Sequence, residues 1–89
     1  MADIFGYKHL TSSGLVKTGP GVLHSVVASG GSANAVVAVY DEVSGSGDVI
    51  AVVTSLANDT KTAVLDVAFG AGCYVTLSGT GAKATVSFR

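Results

Sequence analysis

The sequence has no tryptophan, one proline, one cysteine and few charged residues. Only 12% of its 89 residues are charged, 48% are apolar, and the formal net charge is −1. Disordered chains combine low hydrophobicity with high net charge, so this composition excludes them. The five basic residues are scattered singly, whereas nucleic-acid-binding proteins cluster theirs on one face. We therefore expect one folded domain that does not bind DNA or RNA directly.

Motifs for catalysis, phosphate binding and metal binding are also missing from the sequence. No glycine-rich segment ends in Gly-Lys-Ser or Gly-Lys-Thr, and neither Gly-x-Gly pair continues into a dinucleotide fingerprint. His9 and His24 lack the neighbouring cysteine or carboxylate ligands of a zinc site. We expect no enzyme activity, no catalytic, cofactor-binding or metal-binding residue, and no cofactor.

The only carboxylate cluster is formed by Asp41, Glu42 and Asp48. These residues end a predicted strand and enter a turn, where acidic side chains commonly cap the backbone. A calcium site or an acid–base pair is the alternative interpretation. Adjacent acids on a strand point to opposite faces, which favours the capping role.

The single cysteine, Cys73, cannot form an internal disulfide and lies in an apolar run, which predicts a buried thiol. No apolar stretch approaches the roughly 20 residues of a membrane-spanning helix. The first residues lack the basic segment and apolar segment of a signal peptide. We expect a protein that is made in the cytoplasm and does not enter a membrane.

Strand signals dominate the chain, since valine, threonine and glycine are abundant and no long segment has helical periodicity. The pattern predicts strands at approximately 7–12, 14–18, 22–28, 34–42, 48–55, 61–69, 73–78 and 82–88. The expected fold is an all-β, antiparallel β-sandwich, jelly-roll-like, with about eight short strands and no substantial helix. Residues 16–89 form its single domain, and residues 1–15 provide an N-terminal arm or the first strand.

Alternation along the strands predicts which side chains point inward. One inward set is Ala84, Val86 and Phe88, and a second is Ala63, Leu65, Val67 and Phe69. The run 35–40 is apolar at every position, which predicts a central strand covered on both sides.

A short motif occurs twice, each time before an alternating run. It reads Ser-Gly-Ser-Gly at 44–47 and Ser-Gly-Thr-Gly at 78–81. Glycine at such positions is typical of tight β-hairpins, which is the interpretation we adopt. Duplication of half the domain is the alternative.

The apolar content also bears on assembly. A domain of this size buries only about 60–65% of the surface of its unfolded chain. A chain this apolar and this poor in charge is therefore expected to expose apolar surface as a monomer and to cover it against a partner. We predict a homo-oligomer.

Several turn and core segments form a recognisable series, namely 17–24, 39–41, 44–47, Gly72, 74–75 and 78–81. With this series, which covers roughly residues 15–89, the sequence resembles small virion proteins of tailed bacteriophages and prophages. The resemblance implies a virion structural protein, a capsid decoration (cement) protein that binds and stabilises the head surface. The implied partners are the major capsid protein or other virion subunits, with a trimer favoured, and the implied location is the virion.

The resemblance leaves a head–tail or tail accessory protein open. A further alternative is a fibre-type module that recognises a receptor or carbohydrate and needs exposed aromatic side chains. Phe69 and Phe88 are predicted to point inward, which leaves chiefly Phe5, Tyr7, Tyr40 and Tyr74 as candidates.

Overall fold

The structure is a computed structural model that describes residues 6–43 and 47–89. Within these ranges the chain forms eight strands and no helix, so none of the described segments could cross a membrane as a helix. The strands are β1 (Gly6–Leu10), β2 (Gly14–Thr18), β3 (Gly21–Ser29), β4 (Ala35–Asp41), β5 (Asp48–Ser55), β6 (Thr60–Phe69), β7 (Gly72–Ser78) and β8 (Lys83–Phe88).

The eight strands form two four-stranded sheets that pack face to face. The first sheet has the order β1-β8-β3-β6 and the second the order β2-β7-β4-β5. Every pairing between these strands is antiparallel. The prediction of an all-β, antiparallel sandwich is confirmed, and the predicted strands lie within two residues of the observed bounds.

The pairing is nested from the ends of the chain towards its middle. β1 pairs with β8, β2 with β7, β3 with β6, and β4 with β5. Among the described strands only β4 and β5 are both consecutive and paired, so β4–β5 is the single hairpin. The expectation of a domain built from tight hairpins is therefore wrong, because the other six connections between the described strands lead from one sheet to the other.

The core lies between the two sheets and consists mainly of small side chains. Its largest fully buried residue is Leu23, which is surrounded by valines of both sheets. Phe69 is buried and Phe88 packs against the core, as the alternation predicts. The remaining buried members are Leu10, Val26, Ala28, Val37, Val39, Val53, Cys73, Val75, Ala84 and Val86.

β6 contains a bulge, and one of its predicted inward residues does not reach the core. Ala63 and Leu65 pack against the core, but Val67 is 37% exposed. Asp66 has a positive φ of 51°, and the pairing with β3 shifts between Leu23 and Ser25. Val67 is the register partner of the buried Leu23 and so lies on the inward face of β6, but on this edge strand it stays exposed, and the prediction that it belongs to the core is wrong.

The second Ser-Gly-x-Gly motif does not form a hairpin, contrary to prediction. Ser78 ends β7 in the second sheet, and β8 begins at Lys83 in the first sheet, so the motif joins the two layers. Gly79 and Gly81 have φ values of 114° and 75°. In the first motif, residues 44–46 lie outside the described residues, and Gly47 has a φ of 111° within the β4–β5 connection.

Candidate interaction face

The outer surface of the second sheet brings apolar residues of all four of its strands together. In β4 the core residues Val37 and Val39 alternate with Val36, Ala38 and Tyr40, which therefore point away from the core. Register partners in an antiparallel pair share a face, and this assigns neighbouring residues to the same surface. We call this surface the apolar face and define it by Leu15, Val36, Ala38, Tyr40, Val49, Val52 and Tyr74.

No charged residue belongs to the apolar face as defined. The remaining outward positions that pair with it carry hydroxyl groups, namely Thr54, Thr76 and Ser78. Val49 and Val52 are 53% and 57% exposed, and Val36 in the central strand is 38% exposed. The prediction that β4 is covered on both sides is wrong for the described chain, since only its inner side packs against the other sheet.

Two tyrosines lie side by side on the apolar face. Tyr40 in β4 is the register partner of Tyr74 in β7, and both are half-buried. Of the other predicted aromatic candidates, Tyr7 is 74% exposed on β1 in the first sheet, and Phe5 lies outside the described residues. The structure thus brings together two of the four aromatic candidates.

The outer surface of the first sheet has a different chemistry. Thr85 and Ser87 alternate with the buried Ala84 and Val86, and their register partners on β3 include Ser25 and Val27. Thr60 and Thr62 extend this row of hydroxyl groups on β6. The outer surface of the first sheet therefore mixes a row of hydroxyl groups with the exposed Val64 and Tyr7, whereas the apolar face is a contiguous set of apolar and tyrosine side chains.

The predicted carboxylate cluster is built around one capping residue. The Asp41 carboxylate accepts hydrogen bonds from the backbone N–H groups of Gly70 (3.0 Å), Ala71 (2.8 Å) and Gly72 (3.4 Å). Asp41 does cap backbone groups, as predicted, and the groups that it caps in the described chain belong to the β6–β7 turn. The bond from Gly70, followed by that from Ala71, holds the pKa of the Asp41 carboxyl below its ordinary value.

Asp41 should therefore make folding depend on acid pH. Because its folded-state pKa is lowered, its stabilising effect is complete above the ordinary pKa of 3.8 and is lost as the pH falls through the folded-state value. We expect Asp41→Asn to lower the free energy of unfolding at neutral pH, and the difference from the wild type to shrink below about pH 3.8. Urea titrations across this range measure it.

Asp48→Asn is the matched control, since Asp48 is the register partner of Asp41 on β5. It removes the same charge and leaves the three N–H groups of the β6–β7 turn capped. An equal, pH-independent loss in both variants would contradict the capping role.

Cys73 and the two histidines occupy separate places. Cys73 is buried in the core, and this burial, with a smaller contribution from the charge of Asp41, raises the thiol pKa to about 11. His9 Nδ1 lies 2.8 Å from Thr85 Oγ1, and His24 Nδ1 lies 2.6 Å from Asp66 Oδ1 at the β3–β6 bulge. Among the described residues, no three His, Cys, Asp or Glu side chains group as a metal site would require.

The described part of the chain contains no enclosed cavity or cleft. Comparison with known proteins finds no matching family model, no similar curated protein and no similar solved structure. The apolar face is therefore the candidate site with the most extensive physical support. The apolar run 35–40 indicated this surface in the sequence, but the pattern did not show which side of the strand the other sheet would cover.

Proposed function

We propose that this chain is a virion structural protein, a capsid decoration (cement) protein that binds the head surface and stabilises it. The observation that carries the proposal is the apolar face, whose seven defining residues are uncharged and include the exposed Val36, Val49 and Val52. Exposed apolar surfaces of this kind mark sites of protein association. The proposed partner is the major capsid protein or another virion subunit.

The shape of the sandwich supports attachment through this face. The molecule measures 38 × 31 × 16 Å along its principal axes, so each sheet presents a broad surface. A stable protein–protein interface of standard size buries about 800 Å² on each partner, with a largely apolar centre. A molecule of this shape that docks through the outer surface of the second sheet can bury an area of this size. The outer surface of the first sheet then stays in water.

We also propose that the sandwich is a jelly roll. The support is the nested pairing of β1 with β8, β2 with β7, β3 with β6, and β4 with β5. Such pairing arises when a long antiparallel ribbon is rolled into two sheets. Jelly rolls are common in viral capsid domains, although the fold alone does not establish a function.

Substitution of Val36 tests attachment through the apolar face. Val36 lies on the central strand β4 and is 38% exposed, so Val36→Lys places a charge in the middle of the docking surface. We expect wild-type protein in purified particles, detected by mass spectrometry, and a reduction of roughly tenfold or more in particle-bound Val36→Lys protein, because an unpaired charge is costly to bury.

Val64→Lys is the matched control, because Val64 is 65% exposed but belongs to β6 of the first sheet. This variant should remain on the particles at the wild-type level. Circular dichroism checks that both variants are folded. Absence of the wild-type protein from particles would reject the proposed function, and equal loss of both variants would reject the apolar face as its docking surface.

A head–tail or tail accessory protein, or a fibre-type binding module, is the second candidate. The paired Tyr40 and Tyr74 favour the binding module, since adjacent aromatic rings can hold the apolar face of a sugar. A glycan array distinguishes the binding module from the decoration protein. Binding that is lost in Tyr74→Ala would favour the module, and an array without binding would favour the decoration protein.

A further inference from the structure

In the described chain the sandwich has four edge strands; three of them carry a charged residue inside the strand, whereas β5 has its only charged residue, Asp48, at its first position. β1 contains Lys8, β2 contains Lys17, and β6 contains Lys61 and Asp66. Charged side chains and bulges on edge strands prevent uncontrolled pairing with other chains. The Lys8 ammonium also donates a hydrogen bond to the Leu15 carbonyl (2.8 Å), which links β1 to β2 on that side of the sandwich.

The fourth edge strand, β5, differs from the other three. Its residues 49–55 contain no charged residue and no proline. Ile50 forms a bulge opposite β4, and beyond it Ala51–Ser55 pairs regularly. In the described part of the chain β5 pairs with β4 alone, so its outer side offers unpaired backbone groups.

We infer that two copies of this chain associate by antiparallel pairing of their β5 strands, through residues 51–55. The inference deepens the proposed function, on which it rests for biological context, by naming a second copy as the partner at this edge. Pairing of this kind joins the two second sheets into one eight-stranded sheet and makes their apolar faces continuous. Val52, 57% exposed on this strand, would then pack beside the partner strand.

The composition of the edges favours a dimer over the trimer implied by the sequence resemblance. A two-fold interface uses the same surface on both copies, so one edge strand with an uncharged segment is sufficient. A three-fold ring built by edge pairing needs two different edges that match each other. The other three edges each carry at least one lysine, so β5 is the edge suited to self-pairing.

Val52→Lys tests this inference, since it gives β5 the same protection that Lys61 gives β6. Analytical ultracentrifugation over a range of concentrations should show a dimer for the wild type and at least about tenfold weaker association for Val52→Lys, because a lysine on an edge strand opposes pairing with another chain. Val64→Lys, on the edge strand β6, and Val36→Lys, one strand in from the β5 edge, should dimerise like the wild type.

Hydrogen exchange of the wild-type protein gives an independent measurement that needs no variant. Amides of residues 51–55 should become more protected as concentration rises, whereas those of 60–64 in β6 should not change. A monomer at all concentrations, a trimer, open-ended aggregation, or a dimer without new protection of β5 would overturn the inference. Particle binding that is lost in Val36→Lys would still support the proposed function, so the two proposals can fail separately.

Discussion

Gly79→Ala is expected to lower the free energy of unfolding by about 3 kcal/mol or more. Gly79 has a φ of 114°, a conformation that residues with a side chain rarely adopt. A Cβ at this position would also lie 2.1 Å from the carbonyl oxygen of Asn34, which is backbone and cannot easily move. Both costs fall on the connection that joins the two sheets between β7 and β8.

Three other glycines separate the two costs of this substitution. At Gly19, with a φ of 85°, an added Cβ meets nothing within 4 Å, so Gly19→Ala should cost about 1–2 kcal/mol from conformation alone. Gly30 does not have a positive φ, but an added Cβ there would lie 2.2 Å from the Leu56 carbonyl oxygen. Gly30→Ala should therefore lower the free energy of unfolding by about 1–3 kcal/mol from the steric clash alone. Gly70 has neither constraint, so Gly70→Ala should be neutral or stabilising by about 0.5 kcal/mol.

Denaturant titrations of the four variants measure these differences. The expected order of destabilisation places Gly79→Ala first and Gly70→Ala last. A Gly79→Ala variant as stable as the wild type would show that this connection relaxes without cost. Such a result would contradict the close approach of Gly79 to Asn34.

The Ser-Gly-Thr-Gly motif at 78–81 allowed a turn to be predicted, but not the pairing of the strand that follows it. Two glycines in Ser78–Gly81 correctly indicated a turn with positive φ values before a strand. The partner of that strand depends on contacts between distant residues, such as Ala84 with Leu10 and Ala28. Local turn chemistry does not encode these contacts, which explains why a hairpin was predicted where the chain crosses between sheets.

Strand positions were predictable because alternation is a local property of the sequence. The bulge at Asp66 was not, since a positive φ at an aspartate has no marker in the surrounding residues, which continue to alternate. The side-chain contact between Asp66 and His24 crosses 42 positions of the chain. Val67 was assigned to the core from alternation, but it is 37% exposed because β6 is an edge strand, and the sequence does not show which strands lie at an edge.

The candidate site was predictable in composition but not in location. The run 35–40 is apolar on both sides, a pattern typical of strands that are covered on both sides. The sequence does not distinguish a layer of the same chain from a surface of another molecule. Only the strand order shows that β4 has one covered side and that its other side belongs to an exposed apolar face.

The last prediction concerns the core that supports this face. Leu23 is fully buried and is the largest side chain with so little exposure. Leu23→Ala should lower the free energy of unfolding by about 3 kcal/mol, from lost burial and from the cavity that remains. For a domain of 89 residues, whose total stability is roughly 4–13 kcal/mol, this is a large fraction.

Leu56→Ala is the matched control, because Leu56 is 65% exposed and lies just after β5. It removes the same atoms from the surface and should change the free energy of unfolding by about 0.5 kcal/mol or less. Denaturation of both variants at low concentration, followed by circular dichroism, gives the comparison without a contribution from association. Equal effects of the two substitutions would contradict a core centred on Leu23, because burial between the sheets is the physical difference between these two leucines.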